Sequence, residues 1–207
     1  QCLVGSEMCI RDRKYVMGFF PLIGLITGAL AYGWIYAGEI LYVPDISRTL
    51  VLIILPVIIT GGIHVDGYMD TCDALNSYGD REKKLAILKD SHIGAFAVIK
   101  LLVYYVLYFA AAFIVVQKAG NMQIIIMAFT LYLSRIISGL AAVNFRGARN
   151  NGMLHTFTSV TARKRVNIML VMQLILCISC MCMCSIITAI VVAVSYTHLT
   201  LPTILRV

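Results

Sequence analysis

The chain has 207 residues, of which 60% are hydrophobic and 13% are charged, and its formal net charge is +7. Soluble domains carry about 45–50% apolar and about 25% charged residues, so this composition excludes a disordered chain, a nucleic-acid-binding domain and an ordinary soluble enzyme. In membrane proteins an excess of Lys and Arg is typical of cytoplasmic loops, and several apolar runs here reach the ~20 residues that cross a bilayer. The sequence therefore predicts a small polytopic membrane protein.

The two ends of the chain do not continue the apolar pattern beside them. Residues 1–13 and 195–207 both resemble peptides that arise when sequencing-adapter DNA is translated, so we interpret both as non-native and exclude them from the fold. The native part is then predicted to be a single, truncated, membrane-embedded domain over residues 14–194.

Between these ends, five apolar stretches predict an all-α membrane bundle with about five transmembrane helices. The second stretch contains Pro56 and the pair Gly61-Gly62, so we expect a kink or a break there. The last is long enough to cross the membrane with a tilt. The stretches are Val16–Tyr36, Thr49–Ile63, Ala95–Gln117, Met122–Val143 and Val166–Val194.

The loops between the stretches alternate in charge. Loops 64–94 and 144–165 carry most of the Lys and Arg residues, whereas the alternate loops carry only Arg48 and Lys118. The positive-inside rule places the two basic loops in the cytoplasm. We therefore expect the polar residues of interest to share the cytoplasmic face of the membrane.

The first basic loop is predicted to contain two short interfacial helices. One covers Asp66–Asn76, and the other covers Arg81–Lys89 with Asp80 as its N-cap. The second has its leucines on one side and most of its charges on the other, so we expect it to lie at the membrane interface. Asp90 and Ser91 are then expected to cap the third membrane helix.

The acidic residues are concentrated in the same loop. Six of the ten lie between Asp66 and Asp90, and none follows. Asp66, Asp70 and Asp73 are spaced i, i+4, i+7, which places them on one stripe of a helix. A divalent cation would relieve their mutual repulsion, and oxygen ligands favour Mg²⁺, Mn²⁺ or Ca²⁺ over Zn²⁺. The stripe predicts an enzyme that acts on a pyrophosphate at the membrane surface, with a solvated acidic helix face as the alternative.

The same loop carries a family resemblance. Residues 61–75 read G-G-I-H-V-D-G-Y-M-D-T-C-D-A-L, and residues 80–96 read D-R-E-K-K-L-A-I-L-K-D-S-H-I-G-A-F. Both closely resemble cobalamin synthase, the adenosylcobinamide-GDP ribazoletransferase family, although His92 stands where many members have Arg. The resemblance extends from residue 14 to about residue 194, with further similar segments at Phe19–Gly28, Leu133–Arg135 and Asn144–Arg149.

This resemblance implies an activity and a set of site residues. The family transfers the cobinamide-phosphate group of adenosylcobinamide-GDP to α-ribazole or its 5′-phosphate and releases GMP. The Mg²⁺ cofactor on the pyrophosphate would be held by Asp66, Asp70 and Asp73. The candidate catalytic residues are His64, Asp80 and Asp90, each of which could accept the hydroxyl proton. Asp80 or Asp90 could instead be a further metal ligand, and His64 could instead orient a neighbouring carboxylate. The candidates for substrate binding are Arg81, Lys89, Ser91, Arg135, Arg146 and Arg149.

Arg135 stands out because it lies within the fourth apolar stretch. A charge there is costly unless it is paired or faces a polar cavity. An aspartate of the 66–73 stripe is a candidate partner.

The resemblance also implies partners and a location. We expect small-molecule corrinoid and nucleoside substrates, the lipid bilayer and no nucleic acid, with association with other corrinoid-pathway enzymes or with itself as a further expectation. The location would be a bacterial cytoplasmic membrane.

Other functions remain as alternatives. A CDP-alcohol phosphotransferase or a prenyltransferase also uses aspartate-rich helices, but their patterns differ from the D-G-x2-D of this chain. A small ion-coupled transporter should carry acidic residues at mid-membrane depth, and the apolar stretches contain essentially none.

Overall fold

The computed structural model describes residues 14–88, 92–145, 158–159, 161–192 and 194. Within them the regular secondary structure is entirely helical, which confirms the predicted all-α class. The helices are α1 Val16–Phe19, α2 Pro21–Ile40, α3 Asp45–Thr60, α4 Ile63–Asn76, α5 Arg81–Ile87, α6 Ala95–Lys118, α7 Asn121–Asn144 and α8 Arg163–Cys184.

Several of these helices are long and apolar enough to cross a membrane. Four spans meet that requirement in the described part of the chain, namely Val16–Ile40, Ala95–Lys118, Asn121–Asn144 and Arg163–Cys184. The bent pair formed by α3 and α4 makes a fifth if it is counted as one span. The chain is thus an integral membrane protein, and the number of spans agrees with the predicted five.

The second apolar stretch breaks at the predicted glycines. Helix α3 continues through Pro56 and ends at Thr60, and α4 leaves it at an angle of 91°. Gly61 and Gly62 have φ values of +63° and +76°. This left-handed backbone costs other L-residues ~1–2 kcal/mol, whereas glycine adopts it without a Cβ penalty. The two glycines therefore turn the chain from α3 into α4.

The last apolar stretch does not form one helix, which corrects the predicted span Val166–Val194. Helix α8 ends at Cys184, Ser185 has extended backbone, and helix resumes over residues 186–192. The Ser185 hydroxyl accepts a hydrogen bond from the backbone N–H of Thr188 at 3.4 Å, as an N-cap does. Hydropathy alone gave no sign of the break because the residues on both sides of Ser185 are apolar.

The described residues form two compact units. The first comprises residues up to Tyr32 and from Gly120 onward. Its core lies where α7 packs on α8, and the fully buried side chains there include Leu133, Ile136 and Leu170.

A polar connection crosses the apolar interior of this first unit. The Tyr132 hydroxyl donates to Oε1 of Gln173 at 3.1 Å, and Nε2 of Gln173 donates to the carbonyl of Gly18 at 2.8 Å. Side-chain hydrogen bonds of this kind join helices within membranes. They tie α7 and α8 to Gly18 in α1.

The second unit comprises Gly33–Ala119 and contains α3, α4, α5 and α6. Helix α6 packs against both α3 and α4, and the rings of Tyr68 and Tyr104 meet with centroids 5.6 Å apart. This unit carries the whole of the first basic loop and its aspartates. The single domain over residues 14–194 stays a prediction.

Candidate active site

The three aspartates of the predicted stripe all lie on α4. Asp66 is exposed in the first turn, and Asp70 and Asp73 are half-buried in the following turns. The spacing on a regular helix places them on one face, so the predicted stripe forms. Within the described ranges, no three His, Cys, Asp or Glu side chains converge on a common metal-binding point. The role of the three aspartates as Mg²⁺ ligands stays a prediction.

Asp73 makes a contact that the sequence did not reveal. Its Oδ2 accepts a hydrogen bond from the backbone N–H of Gly94 at 2.6 Å, and its Oδ1 accepts one from Ala97 at 2.9 Å. These N–H groups open α6, whose N-cap is Gly94. The cap position thus differs from the expected one, and the expected cap residues Asp90 and Ser91 lie outside the described residues.

Asp80 and His64, two of the candidate proton acceptors, are both exposed. Asp80 is the N-cap of α5, as predicted, and its Oδ1 accepts a hydrogen bond from the backbone N–H of Lys83 at 3.0 Å. His64 lies in the first turn of α4. Their catalytic roles stay predictions.

Several predicted site residues lie wholly or partly outside the described residues. The backbone of Arg81 begins α5, but its side chain is not described. The others lie outside the described ranges altogether, namely Lys89, Asp90, Ser91, Arg146 and Arg149.

A cavity of about 550 Å³ opens beside Asp73. It is bounded by the end of α4, by α5 and by the beginning of α6. Its lining combines a carboxylate, an ammonium group, an imidazole and an aromatic ring in an open depression that offers both polar and apolar contacts. The lining includes Asp73, Asn76, Lys83, His92, Gly94 and Phe96.

The sequence-based site list did not include Asn76, Lys83, His92 or Phe96. Each of these four residues lies in or beside the two segments that resemble the family. Their position in those segments is the feature of the sequence that could have identified them. Lys83 also donates from Nζ to the carbonyl of Tyr78 at 3.4 Å, so its ammonium group lies near the rim of the cavity.

Arg135 lies half-buried on α7 in the first unit. Its guanidinium carbon is 5.9 Å from the centroid of the Phe20 ring, within the range of a cation–π interaction. This contact gives the charge a favourable neighbour inside an apolar helix, and the pairing with an aspartate of the 66–73 stripe stays a prediction. Its role in phosphate binding stays a prediction.

Comparison with known proteins identifies the family. The family model described as cobalamin-5-phosphate synthase matches residues 6–205, nearly the whole chain. The chain belongs to the cobalamin-5-phosphate synthase family. This membership confirms the resemblance seen in the aspartate loop. The ends predicted to be non-native lie outside the described residues, and their interpretation stays a prediction.

Curated relatives carry the name adenosylcobinamide-GDP ribazoletransferase. The one from Lachnoclostridium phytofermentans is 40% identical over 164 residues, covering 79% of this chain and 61% of the relative. One from Clostridium perfringens is 42% identical over 134 residues, covering 65% and 53%, and that of Clostridioides difficile is 34% identical over 149 residues, covering 71% and 50%. The chain thus spans about half to three fifths of the length of these relatives. No solved structure matches it.

Proposed function

We propose that the protein transfers the cobinamide-phosphate group of adenosylcobinamide-GDP to α-ribazole or its 5′-phosphate and releases GMP. The observation that carries the proposal is the family match, which covers the three aspartates of α4. The relatives that bear the enzyme's name are longer than this chain, so the proposal concerns the activity of the whole protein.

The chemistry is a displacement at phosphorus. A ribose hydroxyl that is free in both α-ribazole and its 5′-phosphate attacks the phosphorus attached to the cobinamide side, a new P–O bond forms, and the P–O bond to the GMP leaving group breaks. Such reactions depend on positioning and on neutralising phosphate charge. The hydroxyl proton passes to a base, for which His64, Asp80 and Asp90 are the candidates. The candidate cations for the phosphates are Arg81, Lys89, Arg135, Arg146 and Arg149.

The donors on α4 fit Mg²⁺. Asp66 and Asp70 offer carboxylate oxygens one helical turn apart, and Mg²⁺ usually takes one or two protein carboxylates while substrate phosphates and water fill its other positions. A convergent set of three protein ligands is therefore not required. When bound, the ion would neutralise the charge of the pyrophosphate.

The proposed location is the cytoplasmic face of a bacterial cytoplasmic membrane. The basic loops 64–94 and 144–165 favour that side by the positive-inside rule. Since α4 leaves α3 at 91°, α4 would run parallel to the membrane plane if α3 alone crosses the bilayer along its normal. This arrangement presents the aspartate face to water-soluble nucleotides while the corrinoid approaches from the same side.

The test is a product assay on the full-length protein in lipid. With adenosylcobinamide-GDP, α-ribazole and Mg²⁺ we expect stoichiometric GMP and adenosylcobalamin, and we expect EDTA to stop both. Protein with an intact helical circular-dichroism spectrum that forms no GMP would overturn the proposed activity. If GMP formation persists in EDTA, the proposed transferase activity would stand, but the proposed requirement for Mg²⁺ would be wrong.

A further inference from the structure

Helix α6 begins without a capping side chain of its own. Its N-cap is Gly94, and the first N–H groups of any helix have no carbonyl partner within the helix. Asp73 fills this role from α4, through its bonds to the N–H groups of Gly94 and Ala97. Ala97 is completely buried, so water cannot replace the carboxylate at that amide.

Gly94 and Asp73 fit together as a pair. A Cβ at position 94 would lie 2.6 Å from Oδ1 of Asp73 and 2.7 Å from its Cγ and Oδ2, well inside contact distance. The carboxylate therefore occupies the space that the N-cap side chain would otherwise fill. The cap is contributed by a residue 21 positions earlier in the chain.

These two bonds also connect the parts of the candidate site. They join the third turn of α4, which carries the aspartate face, to the first turn of α6. Both Asp73 and Gly94 line the cavity, so the cap forms part of its wall. If Asp73 turned toward a metal ion, it would leave the buried N–H of Ala97 without an acceptor.

We infer that Asp73 is a positioning residue, which caps α6 from α4 and so holds the cavity wall against the aspartate face, while Asp66 and Asp70 hold the metal. The inference rests on the proposed function for its catalytic part. It divides the stripe of three similar aspartates into two roles that the sequence spacing alone cannot separate.

Hydrogen exchange of the backbone amides tests the cap without any substrate. In lipid nanodiscs, Asp73→Ala should raise the exchange rates at Gly94 and Ala97 by on the order of tenfold, the effect expected for loss of a helix cap. Asp73→Asn keeps an oxygen acceptor for one of the two amides and should give an intermediate rate. Unchanged exchange in Asp73→Ala would overturn the cap.

Kinetics then separate a cap from a metal ligand. Asp73→Ala should lower kcat while the Mg²⁺ concentration for half-maximal activity stays within about twofold, whereas Asp70→Asn should raise that concentration about tenfold or more. The three heavy atoms nearest to a Cβ at position 94 all belong to the Asp73 carboxylate, so Asp73→Ala removes these clashes for Gly94→Ser. The serine hydroxyl can then accept from the Ala97 amide in the usual N-cap geometry.

The double variant Asp73→Ala/Gly94→Ser should therefore recover several-fold in kcat over Asp73→Ala, although a serine cannot replace a carboxylate ligand. A tenfold higher Mg²⁺ requirement in Asp73→Ala, with no recovery in the double variant, would make Asp73 a ligand and overturn the inference. Absence of GMP from the unsubstituted protein would overturn the proposed function instead, and the exchange experiment would still decide the cap.

Discussion

Replacing Gly24 or Gly28 with alanine should force α2 away from α7. These residues lie one turn apart on the buried face of α2, in the sequence G-L-I-T-G. Small residues at this spacing allow close helix contacts in membranes. A Cβ at Gly24 would lie 2.5 Å from the carbonyl oxygen of Leu131, and one at Gly28 would overlap the carbonyl oxygen of Ala128.

The cost follows from these distances. Ordinary contact begins at 3.4 Å, so Gly24→Ala requires a separation of about 0.9 Å between two backbones that cannot rotate aside (3.4 − 2.5). Overpacking of this kind costs about 1–3 kcal/mol of stability. We expect a cost near the upper end of that range, because the clashing atom belongs to the main chain and cannot move aside by a side-chain rotation. Alanine has a higher helix propensity than glycine, which offsets ~1 kcal/mol of this cost. The net loss in the free energy of unfolding is then roughly 2 kcal/mol for each variant.

The assay is thermal unfolding in detergent, followed by circular dichroism. A loss of this size should lower Tm by roughly 4–8 °C for a chain of this length. Gly33→Ala is the matched control, because Gly33 lies on the same helix and no described heavy atom lies within 4 Å of the position that its Cβ would take. The control should keep or slightly raise Tm. Equal Tm values for Gly24→Ala, Gly28→Ala and Gly33→Ala would refute the proposed helix contact.

Three further results are expected. Gly62→Ala should lower Tm by a few degrees, because its φ of +76° costs an L-residue ~1–2 kcal/mol. Gly67→Ala, within the following helix α4, should leave Tm unchanged, and equal Tm values for the two variants would contradict the left-handed turn. Tyr132→Phe should destabilise the protein by about 1 kcal/mol through loss of its bond to Gln173, measured by chemical unfolding in micelles, and an unchanged midpoint would make that bond negligible. An alkaline phosphatase fused after Gly120 should be active outside the cytoplasm, and a cytoplasmic signal would reverse the proposed orientation.

Features that depend on local sequence could be predicted. The Gly61-Gly62 break, the end of α4 before Ser77 and the N-cap at Asp80 each have a signal within a few residues. Hydropathy predicted the positions of the membrane helices. A long apolar segment that crosses a bilayer forms a helix, because its backbone polar groups must then hydrogen-bond within the segment. The break at Ser185 escaped this reasoning because a single serine in an apolar run does not change its mean hydropathy.

The role of Asp73 could not be predicted, because it depends on a long-range contact. Its partners Gly94 and Ala97 lie 21 and 24 residues later, and nothing in the intervening sequence fixes how α4 and α6 approach each other. The i, i+4, i+7 spacing places all three aspartates on one helix face and does not distinguish a metal ligand from a capping residue. Only the packing of α6 on α4 separates Asp73 from the other two.

The central claim is that the aspartate face of α4 serves the transfer reaction. The most direct test is the rate of GMP formation by Asp70→Asn compared with Glu82→Gln, an exposed carboxylate of the same loop that lies on α5 and outside the stripe. We predict a loss of at least about 100-fold in Asp70→Asn at unchanged expression and helical content, the scale expected for loss of a charge-stabilising group at a reacting centre. Glu82→Gln should retain the activity of the unsubstituted protein. Full activity in Asp70→Asn would contradict the claim.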